Sequence, residues 1–200
     1  MTTPTSQSEI STVSFRSAVK TDARTIAELF RISSGGVADY IWTQLAEPGE
    51  SLLDVGERRY ARTDTAFSYE TCDIAERAGQ IAAILHGFHM PEPEPRVKPD
   101  DDPILKPYME LDIPGSYYIS GIAVTAQFRS MGIGAALMER ARARASNGGM
   151  DQLSLICFEK NVRAAQLYDR LGFKVVDTRD VVPHELIHYT GKALLMAAPV

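Results

Sequence analysis

The chain has 200 residues, of which 44% are hydrophobic and 24% charged. That is the balance of an ordinary globular protein, long enough for one sizeable α/β domain. Its formal net charge of −5 excludes a nonspecific nucleic-acid binder, which needs a basic surface. Two cysteines, Cys72 and Cys157, are too few for a disulfide framework and point to a reducing compartment. Residues 1–10 are polar and lack the basic start and apolar stretch of a signal peptide, and no apolar run is long enough to cross a bilayer. The expectation is a cytoplasmic protein with no nucleic-acid and no membrane partner.

Residues 1–11 read as a flexible tail, and 12–200 as a single domain. Residues 12–18 alternate Val13 and Phe15 with short polar residues, which predicts a first strand. Lys20, Thr21 and Asp22 supply a helix cap, and Ile26, Leu29 and Phe30 form an apolar stripe at helical spacing. Residues 33–36 break that helix. Residues 37–45 and 52–60 predict two further helices, separated by Pro48 and Gly49. Residues 65–76 and 80–89 predict two strands of a hairpin turning around Gly79. Residues 91–107 hold six prolines and many charges, which excludes a helix or central strand and predicts a long exposed loop. Its length and position predict that it borders a substrate pocket.

The second half runs strand (116–124), helix (133–145), strand (153–158), helix (to Leu171, capped by Asn161) and strand (173–178). A last apolar run covers 193–197. Asn147, Gly148 and Gly149 end the first of these helices, and Gly172 ends the second. Ile133, Leu137, Ala141 and Ala145 fall on one helical face; the arginines around them are expected on a solvated face rather than in an RNA patch. This alternation predicts an α/β sheet with a parallel portion.

The most informative stretch is Ile122, Ala123, Val124, then Gln127, Phe128, Arg129, Ser130, Met131, Gly132, Ile133, Gly134 and Ala135. A strand stops, a turn follows, and a helix opens on Gly-Ile-Gly. The first turn of a helix carries unpaired N–H groups and a partial positive charge, and glycines let a phosphate approach them. A dinucleotide-binding loop would place its third glycine where Leu137 stands. A P-loop would follow Gly134 with Lys and Ser or Thr, where Ala135 and Ala136 stand. The glycines alone also fit a plain strand-to-helix turn.

Gln127 to Gly134 resembles the Gln/Arg-x-x-Gly-x-Gly/Ala signature of the GCN5-related N-acetyltransferase (GNAT) family. Downstream, Asn161, Ala164, Leu167, Tyr168, Gly172 and Phe173 resemble its second signature, Asn-x-x-Ala-x-x-Leu-Tyr-x-x-x-Gly-Phe. The clear resemblance covers about residues 117–176, and residues 15–31 fit the family's opening more loosely. It implies a mixed, mainly antiparallel sheet flanked by helices, splayed near Val124 at the central parallel strands, and acetyl-CoA as the acetyl donor. It further implies that Ile122, Ala123 and Val124 pair with the pantetheine arm. The N–H groups from Arg129 through Ser130, Met131, Gly132 and Ile133 to Gly134, with Ala135 beside them, would hold the pyrophosphate. Val124 or a neighbour would point an N–H at the acetyl carbonyl, Asn161 would contact the cofactor, and Tyr168 would protonate the leaving thiolate.

Tyr168 also fits the packed face of an amphipathic helix, and Asn161 is a helix cap in its own right. No general base stands out; Glu70, His89, Glu110, Asp112 and Tyr118 are the candidates, and Ser120 could relay a proton through water. Cys157 is expected to pack as a small apolar residue. The pairs His86/His89 and His184/His188 lack accompanying carboxylates or cysteines, so no metal is expected. The expected activity is direct acetyl transfer to a small-molecule or protein amine acceptor. The alternative is a noncatalytic acyl-CoA-binding or regulatory module on the same fold. Residues 33–60 and the loop at 91–107 are the expected acceptor side, and a homodimer is left open.

Overall fold

The computed structural model describes residues 12–92 and 102–200. Seven strands form one sheet: β1 (Ser14–Ser17), β2 (Cys72–Arg77), β3 (Gln80–His89), β4 (Tyr117–Val124), β5 (Gln152–Phe158), β6 (Lys174–Asp180) and β7 (Lys192–Pro199). Their order is β1-β2-β3-β4-β5-β7-β6. Every neighbouring pair is antiparallel except β4 and β5, which run parallel. The helices are α1 (Ala23–Ser33), α2 (Val37–Leu45), α3 (Leu52–Tyr60), the single turn α4 (Lys106–Met109), α5 (Ile133–Asn147) and α6 (Val162–Arg170). The mixed, mainly antiparallel sheet flanked by helices is the fold class expected from the motifs.

The sheet is covered on both faces. Ile74, Ile84 and Ala123 turn to one side and pack with Ile26, Phe30, Trp42 and Val55 of α1 to α3. Ala75, Ala83, Leu85 and Ile119 turn to the other and pack with Ile133, Leu137 and Ala141 of α5. Burial on both sides explains why β3 reads as an unbroken apolar run rather than an alternation. On α5 the stripe Ile133, Leu137, Ala141 and Ala145 is buried as its spacing predicts. The β2–β3 hairpin turns through Ala78 and Gly79, both at positive φ (52° and 71°), the geometry that matches strand twist in a two-residue loop.

Four local expectations are corrected. Asp22 does not cap α1 with its side chain; it accepts from the Val19 N–H at 2.8 Å and pairs with Arg16 at 2.7 Å. Strand β2 starts at Cys72, because Ser68 bonds the Arg62 carbonyl and accepts from the Glu70 N–H, holding a turn where 65–71 read as strand. Of the proline-rich segment, 93–101 lie outside the described residues, as do 1–11. The rest includes a helical turn, since Pro107 stands in the first turn of α4, where no N–H is required of it. The arginines of α5 are not simply solvated: Arg140 and Arg144 both reach the buried Asp73, at 3.0 and 2.7 Å.

Candidate active site

The parallel pairing of β4 with β5 covers only Tyr117↔Leu153, Tyr118↔Ser154 and Ile119↔Leu155. Beyond Ile119 the strands part: β4 stays on β3 while β5 stays on β7 through Phe158↔Ala193. The sheet therefore opens as a V, and it opens five residues earlier than the expected point at Val124. A bulge marks the opening. Gly121 faces His86 and Ile119 faces Gly87, leaving Ser120 as an extra residue that bends β4 away. Gly121 also lets α1 close over this edge, since a Cβ there would lie 2.7 Å from Ser33 Oγ.

The far half of β4 presents an open backbone edge. The Thr125 N–H bonds Ala82 O at 2.9 Å, so alternation in an antiparallel ladder turns the backbone groups of Val124 and Ile122 away from β3, into the V. In agreement, the Val124 carbonyl accepts from Arg129 Nε at 3.1 Å rather than from β3.

The chain then enters α5 through Ser130 (φ 63°) and Gly132 (φ 78°). Its first internal bond is Ala136 N–H to Gly132 O. Among the described residues, the successive N–H groups of Ser130, Met131, Gly132, Ile133, Gly134 and Ala135 have no acceptor within the protein. A Cβ on Gly132 would meet nothing within 4 Å, and one on Gly134 would project between Val124, Ile122 and Leu167. An unfilled turn with this many free donors suits a pyrophosphate. Two of the expected residues differ: the Arg129 N–H, expected among the pyrophosphate donors, is taken by Ala126 O at 3.4 Å, and the Met131 side chain stands apart from the turn. It is 50% exposed and lies outside the cleft, against the Arg77 guanidinium, so only its backbone faces the turn.

Helix α6 closes the V from the β5 side. Asn161 caps it by accepting from the Ala164 N–H at 3.3 Å. Tyr168 is 8% exposed, its ring beside Phe173 at 5.8 Å. Among the described residues its hydroxyl has no hydrogen-bond partner. Burial holds its pKa well above the ordinary tyrosine range, so the hydroxyl keeps its proton.

Two cavities meet at these residues. A cleft of about 740 Å³ runs between β4, the start of α5 and α6, and includes every expected cofactor residue except Met131. A second cavity of about 480 Å³ lies under α1 to α3 and the segment around α4. Ser120, Asn161 and Tyr168 line both. The second cavity is walled by Trp42, Phe67, Phe88, Tyr108 and Phe158 among others, and Leu105 and Met109 come from the segment that begins in the proline-rich loop.

The five candidate bases separate. Asp112 and Tyr118 line the second cavity. Glu70 accepts from the Asp64 N–H at 2.9 Å, Glu110 pairs with Arg179 at 2.9 Å, and neither of these nor His89 lines either cavity. Cys157 is 3% exposed, and burial pushes its thiol up to about 11, which leaves it uncharged. His86 is buried against Ala66 O and Tyr60, and the His184 ring packs on Tyr40. Among the described residues no three His, Cys, Asp or Glu side chains cluster as a metal site would need, and no helix is long and apolar enough to cross a membrane.

Sequence reasoning missed Arg163 and Arg170, which line the cleft with Leu167 and Leu171. Their spacing of two helical turns places all four on one face of α6, a mixed charged and apolar face that could have been noticed. It also missed Arg59 and Phe67, for which no spacing signal exists.

A V-shaped sheet with a free β edge, a turn of unpaired N–H groups at a helix start and a tyrosine at the junction of two cavities defines an acyl-CoA acyltransferase type of fold. A sequence profile described as the Acetyltransferase (GNAT) family matches residues 40–173, and the chain belongs to that family. It is 33% identical over 100 residues to a mycothiol acetyltransferase from Thermobispora bispora, a stretch that is 50% of this chain and 28% of that protein. The chain thus matches well under two thirds of that relative's length. Among solved structures, the ribosomal-protein-S18-alanine N-acetyltransferase from Escherichia coli superposes with a TM-score of 0.60 at 18% identity, covering 94% of each chain. An N-acetyltransferase from Staphylococcus aureus Mu50 gives 0.61 at 18% identity, covering 92% of this chain and 100% of its own. At these identities the structures share the fold.

Proposed function

We propose that the protein transfers an acetyl group from acetyl-CoA directly to an amine. The observation that carries this reading is the junction at Ser120 and Tyr168, where a cleft with phosphate-type donors meets a separate, largely aromatic cavity. Two substrates entering from opposite sides would meet there, which suits a sequential ternary complex. Acetyl-CoA supplies an acyl thioester at that point.

The residues divide the work. The N–H groups from Ser130 to Ala135 would hold the pyrophosphate, and Arg129, Arg163 and Arg170 would add positive charge for a polyanion. The open edge at Ile122 and Val124 would pair with the amides of the pantetheine arm, with Ala123 holding the strand to its neighbour. The Ile122 N–H, the free edge donor nearer Ser120, would donate to the acetyl oxygen as that oxygen gains charge. Tyr168 would give its proton to the departing sulfur. Asp112, the carboxylate in the wall of the second cavity among the described residues, would take the proton from the incoming ammonium. An amine is nucleophilic enough to attack without a covalent enzyme intermediate, and Cys157 stays uncharged.

The test is thiol release from acetyl-CoA over a panel of amines. Release that depends on the amine supports the reading. Binding of acetyl-CoA with no release for any amine would replace it with a noncatalytic acyl-CoA-binding module.

A further inference from the structure

The second cavity carries two charged side chains, Arg59 and Asp112. Among the described residues neither forms an ion pair, with each other or with anything else. The neighbours of Arg59 on α3 and beyond are engaged: Arg58 pairs with Glu50 at 2.9 Å, and Arg62 donates to the carbonyls of Arg59 and Phe67. Arg59 is half-buried and stacks over the Phe67 ring at 5.4 Å. Burial lowers its pKa from the usual value, and the nearby Arg62 adds to that. A partly desolvated guanidinium without a carboxylate is unfavourable in the free protein and leaves a planar fork of donors facing the cavity.

Between Arg59 and the junction lies a wall of rings. Phe67 packs on Phe88 at 5.7 Å, and Phe88 packs on Tyr118 at 5.6 Å. Tyr118 lies two residues before Ser120 on the same side of β4. Among the described residues a second polar atom also lacks a partner: Tyr108 Oη is buried in the cavity region with no hydrogen bond. The arrangement therefore has an acceptor-seeking end at Arg59, an aromatic middle, and a carboxylate, Asp112, of opposite sign.

We propose that the acceptor is an amino acid-like molecule with its amine and its carboxylate at opposite ends of an apolar, aromatic-sized body, the carboxylate seated bidentately on Arg59. This rests on the reading of the second cavity as the acceptor site. An α-amino acid does not fit the arrangement, because its carboxylate would lie beside the reacting amine, while Arg59 is separated from Tyr118 by two rings. Tyr108 Oη supplies a further donor for a polar group on the body.

The experiment compares para-(aminomethyl)benzoate with benzylamine in thiol release at saturating acetyl-CoA. It also measures binding of para-toluate and para-toluamide, which cannot react, by calorimetry. The carboxylate-bearing amine should exceed benzylamine in kcat/KM by about tenfold, through KM, as one charge-assisted bidentate contact allows. Arg59→Gln should remove that advantage, bringing the two amines to about the same kcat/KM through loss on the carboxylate-bearing one; Arg59→Lys, which keeps the cation, should retain part of it. Para-toluate should bind more tightly than para-toluamide, and Arg59→Gln should erase the difference. Equal binding of the two, or binding of neither, overturns the assignment of Arg59, as does an equal loss for both amines in Arg59→Gln. If para-toluate binds through Arg59 but no amine releases thiol, the acetyl-transfer reading falls while the anion site stands.

Discussion

The hydroxyls of Ser116 and Ser154 meet at 2.6 Å, both fully buried, at the closed end of the V between β4 and β5. Ser116 also donates to Ile113 O at 2.7 Å. A hydroxyl has one proton, so Ser154 must be the donor of the pair and Ser116 its acceptor. This bond joins the strands beside the short stretch where they pair, just before they separate to form the cleft.

The proton count predicts an order. Ser154→Ala should cost about 1 to 2 kcal/mol, because it leaves one buried acceptor without its donor. Ser116→Ala breaks both bonds and should cost more. Urea unfolding of the two variants measures this, and an equal or reversed order would show that the donor direction is wrong.

Gly134→Val should separate binding from folding. A Cβ at this position makes only ordinary contacts at 3.8 to 3.9 Å, with Val124, Ile122 and Leu167, all in the cleft wall. The free protein should keep its unfolding midpoint, while acetyl-CoA affinity falls by about tenfold or more, since the branched side chain fills space the pyrophosphate needs. Unchanged affinity in a titration would remove this turn from the binding site.

Tyr168→Phe should reduce kcat by about a hundredfold, the low end for loss of a positioned acid, and change acetyl-CoA affinity little. Because burial raises the Tyr168 pKa above the ordinary value of 10.0, its proton should not limit the rate below pH 10. A variant that loses affinity but keeps kcat would identify Tyr168 as a packing residue.

His86 predicts an acid-sensitive fold. It is fully buried, accepts at Nδ1 from the Tyr60 hydroxyl at 3.5 Å and donates from Nε2 to Ala66 O at 2.9 Å. Burial lowers its pKa from 6.5 to about 4. Between those values the unfolded chain binds a proton that the native state refuses, so stability falls as pH falls through this window. The loss between pH 7 and pH 5 should be about 2 kcal/mol. His86→Met should flatten the dependence in that range. Parallel slopes for wild type and variant in denaturant titrations at the two pH values would contradict it.

Much of the fold could be read along the chain because its causes are local. Helices α2 and α3 were bounded by Gly36 and by the Pro48-Gly49 break, and α5 by its apolar stripe and the glycines that follow it. The misreadings arose where side chains bonded to nearby backbone or to a distant side chain, or where a proline met a position that needs no N–H. Ser68 held a turn in place of strand, Asp22 turned back to Val19, and Pro107 fitted a first helical turn. The arginines of α5 looked solvated only because their partner, Asp73, lies on another element.

The turn of free N–H groups and the open strand edge are legible in sequence because they are made of consecutive backbone groups. Their identity is visible in residues 122–135 and in Asn161 and Tyr168. The wall of the second cavity is assembled otherwise. Arg59 from α3, Phe67 from a turn, Phe88 and Tyr118 from adjacent strands, and Asp112 from the segment after α4 have no common period or motif. They share one cavity only because the sheet parts after Ile119 and α1 to α3 pack across the opening. That Arg59 has no ion-pair partner among the described residues is a property of three-dimensional neighbours, and no local pattern could have announced it.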